Sequence, residues 1–184
     1  MVDLPWTWLR QVHGAGVVVV QAPGQHAGVA GDAAVTAVPG AAVAVGVGDC
    51  APVALLADGA VGVVHAGWRG LVAGVIPAAV AALRSLGARD IRAVLGPCIR
   101  PACYEFGRAD LDRAAAVLGE GVRGRTASGA PALDLPGAVL SGLAAAGVHA
   151  VEDVGVCTAC STEHWSHRAR ADRSRQALVA WLGP

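Results

Sequence analysis

One short segment of this chain places a thiol and an imidazole on either side of a tight turn. Cys50 and His65 flank Asp58-Gly59, a dipeptide typical of a two-residue β-hairpin turn. If those two residues form the turn, His65 faces Pro52, Cys50 faces Gly67, and the Cys50 and His65 side chains share one face. Such diagonal neighbours lie roughly 7–8 Å apart, which two side chains can bridge through one metal ion. The hairpin therefore predicts a metal site, although a free cysteine is also commonly a small buried hydrophobe.

The hairpin leads directly into Gly67-Trp68-Arg69-Gly70 and then into a helical pattern. A glycine-rich turn at a helix start offers backbone N–H groups to an anion. The fork-shaped guanidinium of Arg69 suits a phosphate through two parallel contacts. We therefore predict phosphate binding at Gly67, Arg69 and Gly70. The alternatives are an ordinary surface arginine and a core tryptophan at Trp68, which could also stack on a base.

His13 is the candidate for a third metal ligand. It lies at the start of the first predicted strand, where a polar strand-end residue is the simpler interpretation. Together with Cys50 and His65 it would give three protein ligands and one open position, the pattern of catalytic zinc. The sequence alone cannot bring residue 13 next to residue 50. Asp49 and Glu105 are candidates for proton transfer, and the sequence does not separate that role from an ion pair.

A second cluster of metal-type residues lies near the carboxyl end. Cys157 and Cys160 form a C-x2-C pair, and His164 and His167 follow them. By residue type this is a credible structural zinc set, with a redox pair or an unliganded polar loop as alternatives. The Cys98 and Cys103 thiols, five residues apart, do not match a standard zinc pair and are expected to be structural.

The composition fits one domain with a core of small side chains. The chain has 184 residues, 54% of them hydrophobic, but its aromatic residues are only five Trp, one Tyr and one Phe. The formal net charge is zero and no basic run is present, which argues against nucleic acid as a partner. No secretory signal or membrane-spanning stretch is visible, and five cysteines without a secretory context favour reduced thiols in the cytoplasm.

Apolar periodicity and turn signals predict strands and helices without strict alternation. The predicted strands are Val12–Gln21, Ala33–Ala37, Ala41–Val47, Val53–Ala57, Ala60–His65, Ile91–Leu95, Val148–Val154 and Gln176–Leu182. The predicted helices are Leu71–Leu86, kinked at Pro77, Arg108–Leu118 and Pro136–Ala146. This order favours an α+β fold, a mixed α/β sandwich in which helices flank a mixed β-sheet.

Six short motifs occur in a characteristic order: Gln11-Val12-His13-Gly14, Asp49-Cys50-x-Pro52-Val53, His65-Ala66-Gly67-Trp68-Arg69-Gly70, Gly96-Pro97-Cys98-Ile99, Cys103-Tyr104-Glu105 and Cys157-Thr158. Together they resemble the YfiH-like laccase-domain family, also described as polyphenol oxidase and peptidoglycan-editing factor. The resemblance covers nearly the whole chain. It implies one YfiH-like laccase-type domain over residues 1–184, with Zn²⁺ held by His13, Cys50 and His65.

The resemblance also implies an activity on purine nucleosides. Members cleave adenosine, inosine and methylthioadenosine with phosphate, and they deaminate adenosine. For this activity we expect Cys50 and His65, with Arg69 and Asp49 as the candidates from the residue analysis, to be the catalytic residues. Hydrolysis of a misloaded muramyl precursor is the alternative at the same site. Copper is the less favoured metal, because laccase chemistry needs several coppers and many histidine ligands.

Two departures from the family pattern bear on these expectations. Only twelve residues precede His13, where the family usually has several dozen, so the chain is expected to lack the N-terminal segment. An exposed sheet edge would then favour self-association, and a truncated, non-catalytic zinc-binding member is a further alternative. The family's Phe-Phe-Ser-Tyr-Arg segment reads His164-Trp165-Ser166-His167-Arg168 here, which disfavours a dedicated second zinc site.

Overall fold

The computed structural model describes residues 3–183. Its strands are β1 (Trp6–Trp8), β2 (Val17–Val20), β3 (Ala33–Thr36), β4 (Ala42–Val47), β5 (Ala51–Ala57), β6 (Ala60–Ala66), β7 (Arg92–Leu95), β8 (Arg123–Arg125), β9 (Pro131–Leu133), β10 (Ala150–Asp153) and β11 (Gln176–Trp181). Its helices are α1 (Trp68–Val72), α2 (Val75–Ser85), α3 (Arg108–Leu118), α4 (Leu135–Ala145) and α5 (His167–Arg170), with 3-10 turns at Pro101–Cys103 and Glu120–Val122.

The strands form a large mixed sheet, a smaller sheet and a short ribbon. The six-stranded sheet has the order β10-β7-β5-β6-β3-β2, and the smaller sheet has the order β1-β4-β11. In the large sheet, β2 pairs with β3 and β10 with β7 in parallel, whereas the central pairs are antiparallel. The predicted α+β class with a mixed sheet flanked by helices is therefore confirmed.

The large sheet is covered on both faces. Alternate residues of β6 point to opposite sides: Val61 and Val63 pack with residues of the smaller sheet, while Val64 and Ala66 pack with the helices. All of β6 is buried. Because both faces need apolar side chains, the strand is an almost continuous run of Ala and Val. This buried strand carries His65.

The predicted hairpin register is confirmed from the turn outward to the pair of Pro52 with His65. Ala57 pairs with Ala60 and Pro52 pairs with His65 across β5 and β6. Gly59 has a φ of 72°, which the tight turn requires and glycine adopts without strain. Since β5 begins at Ala51, Cys50 lies one residue before the paired strand.

The single helix predicted over 71–86 is wrong in one respect. The segment forms two helices, α1 and α2, separated at Gly74, whose φ is 86°. Pro77 is the third residue of α2, so it lies in the first helical turn, where the backbone N–H groups have no intrahelical partner to lose.

Two further differences matter for the site. The first predicted strand, Val12–Gln21, shortens to Val17–Val20, so the segment around His13 is a loop. The short elements β1, β8, β9 and α5 are absent from the sequence-based prediction because three- or four-residue elements carry little periodicity.

Among the described helices, none is both long and apolar enough to cross a membrane.

Candidate metal centre

His13, Cys50 and His65 converge at one point. Their ligand atoms all lie within 4.8 Å of one another. The Cys50 Sγ is 3.9 Å from the His13 Nε2, and the two imidazole rings meet edge to face with centroids 4.8 Å apart. The structure therefore brings together the three residues that the sequence proposed as ligands, with two nitrogens and one sulfur.

His65 is fixed on β6 by a carboxylate that the sequence reasoning missed. The His65 Nδ1 lies 2.9 Å from an Asp32 carboxylate oxygen, so Nδ1–H donates and Nε2 stays free as a ligand atom. Burial lowers the pKa of His65 more than the hydrogen bond to Asp32 raises it. The imidazole is therefore neutral, which is the form that binds a metal.

Asp32 also holds the loop that carries His13. Its carboxylate accepts hydrogen bonds from the backbone N–H groups of Val12, His13 and Gly14, at 3.3, 2.9 and 2.8 Å. Asp32 has no exposed surface. Burial alone would raise its pKa, but the bonds from His65, Gly14 and His13 together lower the pKa below the ordinary value. An ionised carboxylate thus organises two of the three ligands.

The His13 loop is constrained from a second side. Gln11 pairs its side-chain amide with the backbone of Gly46 in β4, donating at 2.8 Å and accepting at 2.9 Å. His13 itself has a φ of 58°, a left-handed conformation that histidine seldom adopts. The surrounding hydrogen bonds maintain this conformation and direct the imidazole toward Cys50.

The Cys50 thiol is half-buried beside a carboxylate. Burial, and then the neighbouring Asp49, raise the pKa of Cys50 to about 11, although Arg175 acts in the opposite direction. The thiol is therefore protonated at neutral pH. A cation that binds here has to displace this proton.

The glycines of the Gly67–Gly70 turn have a packing role. A Cβ on Gly67 would lie 3.0 Å from the His13 Cδ2 and 3.1 Å from the Cys50 Sγ. A Cβ on Gly70 would lie 3.0 Å from the carbonyl oxygen of Gly14. The absence of side chains at these two positions therefore lets the start of α1 pack against Cys50 and the His13 loop. Phosphate binding by the turn stays a prediction.

Arg69 lies on the surface rather than in the cleft. Its guanidinium is 4.6 Å from the ring centre of Trp68. Trp68 in turn packs edge-on against Phe106, with centroids 5.4 Å apart, so it is a core residue at its inner end. Two other arginines, Arg168 and Arg175, line the cleft that also contains the three candidate ligands. Sequence reasoning gave neither of them a role: Arg168 stands only as the last residue of the His164–Arg168 segment, and Arg175 belongs to no motif.

The cleft over the three ligands has a volume of about 530 Å³, within the range typical of small-molecule sites. It is lined by Gln11, His13, Gly46, Val47, Gly48, Asp49, Cys50, His65, Tyr104, His167, Arg168 and Arg175. Burial raises the pKa of Tyr104 to about 12, and the Arg168 guanidinium lies 5.0 Å from its ring centre. The walls therefore combine an aromatic face with two guanidinium groups.

Asp49 is held by three hydrogen bonds. The hydroxyls of Thr158 and Ser166 donate to one carboxylate oxygen and the backbone N–H of Arg168 donates to the other, each at 2.7 Å. The carboxylate thus fixes the segment around α5 against the cleft. Its predicted role in proton transfer is untested. Glu105 is exposed, and its side chain is not among the residues that line the cleft.

The second predicted metal set does not assemble as a four-residue group. His164 Nδ1 lies 2.8 Å from the Ser161 hydroxyl, and His167 lines the cleft. Cys157 and Cys160 come together with Cys103 instead. The C-x2-C spacing identified two of these thiols, but the third arrives from a distant loop.

Comparison with known proteins agrees with this fold. The family model described as multi-copper polyphenol oxidoreductase laccase matches residues 1–183, and the chain belongs to that family. The purine nucleoside phosphorylase SCO2081 of Streptomyces coelicolor is 43% identical over 181 residues, which cover 95% of this chain and 74% of the relative. The purine nucleoside phosphorylase Rv2149c of Mycobacterium tuberculosis is 39% identical over 180 residues, 95% of this chain and 71% of the relative.

Solved structures show the same architecture. The Neisseria meningitidis protein NMB0706 superposes with a TM-score of 0.88 and 30% identity, over 98% of this chain and 76% of that one. YlmD from Geobacillus stearothermophilus gives a TM-score of 0.86 and 29% identity, over 98% of this chain and 74% of that one. The resemblance first drawn from the motifs is therefore confirmed.

Proposed function

We propose that this protein is a metal-dependent purine nucleoside phosphorylase that also deaminates adenosine. The observation that carries the proposal is the His13–Cys50–His65 group at a cleft lined by Tyr104 and two arginines. Relatives with 39–44% identity are named purine nucleoside phosphorylases, which supports an enzyme of this kind. The proposed substrates are adenosine, inosine and methylthioadenosine with phosphate. The five free thiols fit the cytoplasmic location that the sequence suggests.

The donor set fits zinc. Two nitrogens and one sulfur lie around one point, and Gly67 has no Cβ that would crowd the His13 and Cys50 side chains. Asp32 orients the His65 imidazole by accepting a hydrogen bond from its Nδ1. When bound, zinc would act as a Lewis acid toward an oxygen atom in the cleft. Multi-copper oxidation would need further histidine-rich groups. Within residues 3–183 the only other group of three close donors consists of thiols, so zinc is the metal we propose.

The residues of the cleft suggest how phosphorolysis would proceed. A phosphate oxygen forms a bond to C1′ of the ribose while the bond from C1′ to the purine nitrogen breaks, and the departing base takes up a proton. Arg168 and Arg175 would neutralise and orient the phosphate, because both line the cleft that also contains the three candidate ligands. Tyr104 offers its ring to the purine, and His167 is an imidazole in the cleft that can supply the proton.

The activity is tested with a nucleoside panel assayed with and without phosphate. We expect base release from adenosine, inosine and methylthioadenosine only when phosphate is present, with ribose 1-phosphate or its methylthio analogue as the second product. Inosine formation from adenosine without phosphate would show the deaminase activity. Inert nucleosides together with hydrolysis of a muramyl precursor would overturn the proposal in favour of the alternative.

Replacing Cys50 by serine should remove one zinc equivalent per chain and reduce phosphorolysis by about 100-fold or more, because a ligand is lost rather than a supporting contact. Elemental analysis and steady-state kinetics measure the two effects. His149→Ala removes an exposed imidazole outside the cleft and is the matched control. Unchanged zinc in Cys50→Ser, or copper in its place, would contradict the assignment.

Arg175 and Arg69 can be separated by conservative substitution. Arg175→Lys should raise KM for phosphate about tenfold, since a point charge cannot reproduce a two-pronged contact at the cleft wall. Arg69→Lys tests the sequence-based prediction, and we expect a smaller effect because Arg69 stacks on Trp68 outside the cleft lining. Phosphate saturation curves at fixed inosine measure both. A larger increase in KM for Arg69→Lys than for Arg175→Lys would indicate that phosphate binds at the Gly67–Gly70 turn instead.

A further inference from the structure

Three cysteines from two separate loops meet on the surface of the protein. Cys103 ends the 3-10 turn Pro101–Cys103, while Cys157 and Cys160 lie on a turn more than fifty residues later. Their sulfur atoms all lie within 4.8 Å of one another, and those of Cys103 and Cys160 are 3.2 Å apart. Sulfurs that share a tetrahedral zinc ion lie about 3.8 Å apart, from Zn–S bonds of about 2.3 Å. The three thiols therefore lie at a spacing that one metal ion can bridge.

The turn that carries Cys157 and Cys160 is closed by its own backbone. The Ser161 N–H donates to the Cys157 carbonyl at 3.0 Å. The turn brings the Cys157 and Cys160 sulfurs within 4.8 Å of each other and of the Cys103 sulfur. Cysteine binds metals as the thiolate, so an ion that binds here has to displace the thiol protons.

The backbone also fixes this turn beside the end of β7. The Cys98 N–H donates to the Val156 carbonyl, and the Thr158 N–H donates to the Cys98 carbonyl, both at 3.2 Å. Cys98 itself is fully buried and is not part of the three-thiol group. The ligand turn is thus held in place before any ion binds.

We propose that Cys103, Cys157 and Cys160 form a second metal site for a thiophilic d10 cation, represented by zinc. Cys160 is exposed, so a fourth position is open to water. A disulfide between Cys103 and Cys160 is the competing outcome. It would use two of the three sulfurs and leave out Cys157, whereas a metal ion uses all three.

The site would connect two loops that form the wall of the substrate cleft. Tyr104, which lines the cleft, directly follows Cys103. Thr158, between the other two ligands, donates to the Asp49 carboxylate beside Cys50. An ion at the three thiols would therefore fix both loops of the cleft wall, the one that carries Tyr104 and the one that carries Thr158, without touching a substrate. This makes it a structural site, distinct from the His13–Cys50–His65 group.

Zinc content in a Cys50→Ser background isolates the site. Protein purified under reducing conditions should hold about two zinc ions per chain, Cys50→Ser about one, and Cys50→Ser with Cys160→Ser none. The Cys50→Ser protein with Cys98→Ala removes a thiol outside the group and should keep its zinc. Because Cys160 is exposed, its replacement is not expected to prevent folding, and circular dichroism checks this. Equal zinc in the Cys50→Ser protein with and without Cys160→Ser would overturn the proposal.

Cobalt provides a readout that does not depend on activity. Loading the Cys50→Ser protein with Co²⁺ should give thiolate-to-cobalt charge-transfer absorption, which Cys157→Ser should reduce by about one third or abolish. Thiol labelling should show Cys103, Cys157 and Cys160 protected by zinc and released by a chelator. Absence of the cobalt band in reduced, folded protein, with a Cys103–Cys160 disulfide in oxidised protein by mass spectrometry, would show that the cluster is a dithiol rather than a metal site.

Discussion

Asp32→Ala should weaken zinc binding at the His13–Cys50–His65 centre and destabilise the fold. Asp32 accepts hydrogen bonds from His65 and from three consecutive backbone N–H groups while it is fully buried. Its removal leaves these donors unpaired, which costs about 3–5 kcal/mol of unfolding free energy. Zinc affinity should fall by about 10–100-fold, since the carboxylate orients two ligands. Urea denaturation and zinc titration measure the two effects.

Two matched variants show whether the effect belongs to this carboxylate. Asp32→Asn keeps the size and one acceptor oxygen, so its losses should be smaller than those of Asp32→Ala. Asp153→Ala breaks a partly exposed pair with Arg100 and should change stability by about 1 kcal/mol or less, with zinc binding intact. If Asp32→Ala bound zinc as tightly as the unmodified protein, the positioning role of Asp32 would be wrong.

Asp49→Ala is expected to loosen the cleft wall. The change removes the acceptor of two buried hydroxyls, Thr158 and Ser166, and of the Arg168 N–H. We expect a loss of about 3 kcal/mol in stability, because buried donors are left without partners. Activity should fall about tenfold or more as the segment that carries Arg168 becomes mobile. Thermal unfolding and kcat/KM for inosine are the measurements.

The pH dependence of activity separates this positioning role from proton transfer by Asp49. In Asp49→Asn a positioning role predicts lower activity with an unchanged shape of the pH–rate profile. A general acid or base at Asp49 predicts that one limb of the profile disappears. Ser161→Ala alters a hydroxyl that contacts His164 rather than Asp49, and it serves as the control.

The sequence was most informative where its constraints are local. The Asp58-Gly59 turn determines the pairing of β5 with β6, so the shared face of Cys50 and His65 followed from counting residues. Helix Arg108–Leu118 was placed correctly for the same reason, because its periodicity lies within eleven residues. The proximity of His13 came from the family resemblance, since no local signal connects residue 13 to residue 50.

The missing parts of the site depend on contacts between distant segments. Asp32 precedes a buried apolar strand, and a carboxylate there needs a partner, but the sequence does not say which donor supplies it. Cys103 reaches Cys157 only through the packing of two loops. The break at Gly74 was missed because an apolar stripe continues across it, and only the backbone conformation of the glycine reveals the interruption.

The three proposed ligands differ in how firmly the protein holds them, and this has an entropic consequence. His65 lies in a strand buried on both faces, whereas His13 is exposed on a loop that the Gln11 side chain ties to β4 of the smaller sheet. The entropy lost on ion capture therefore falls mainly on the exposed His13 side chain, because the backbone of residues 12–14 is already bonded to Asp32 and His65 has little freedom left to lose. Affinity can then be adjusted through the packing around that one imidazole, with the strands left unchanged. The centre is in this sense largely preorganised, and the His13 side chain is its most adjustable part.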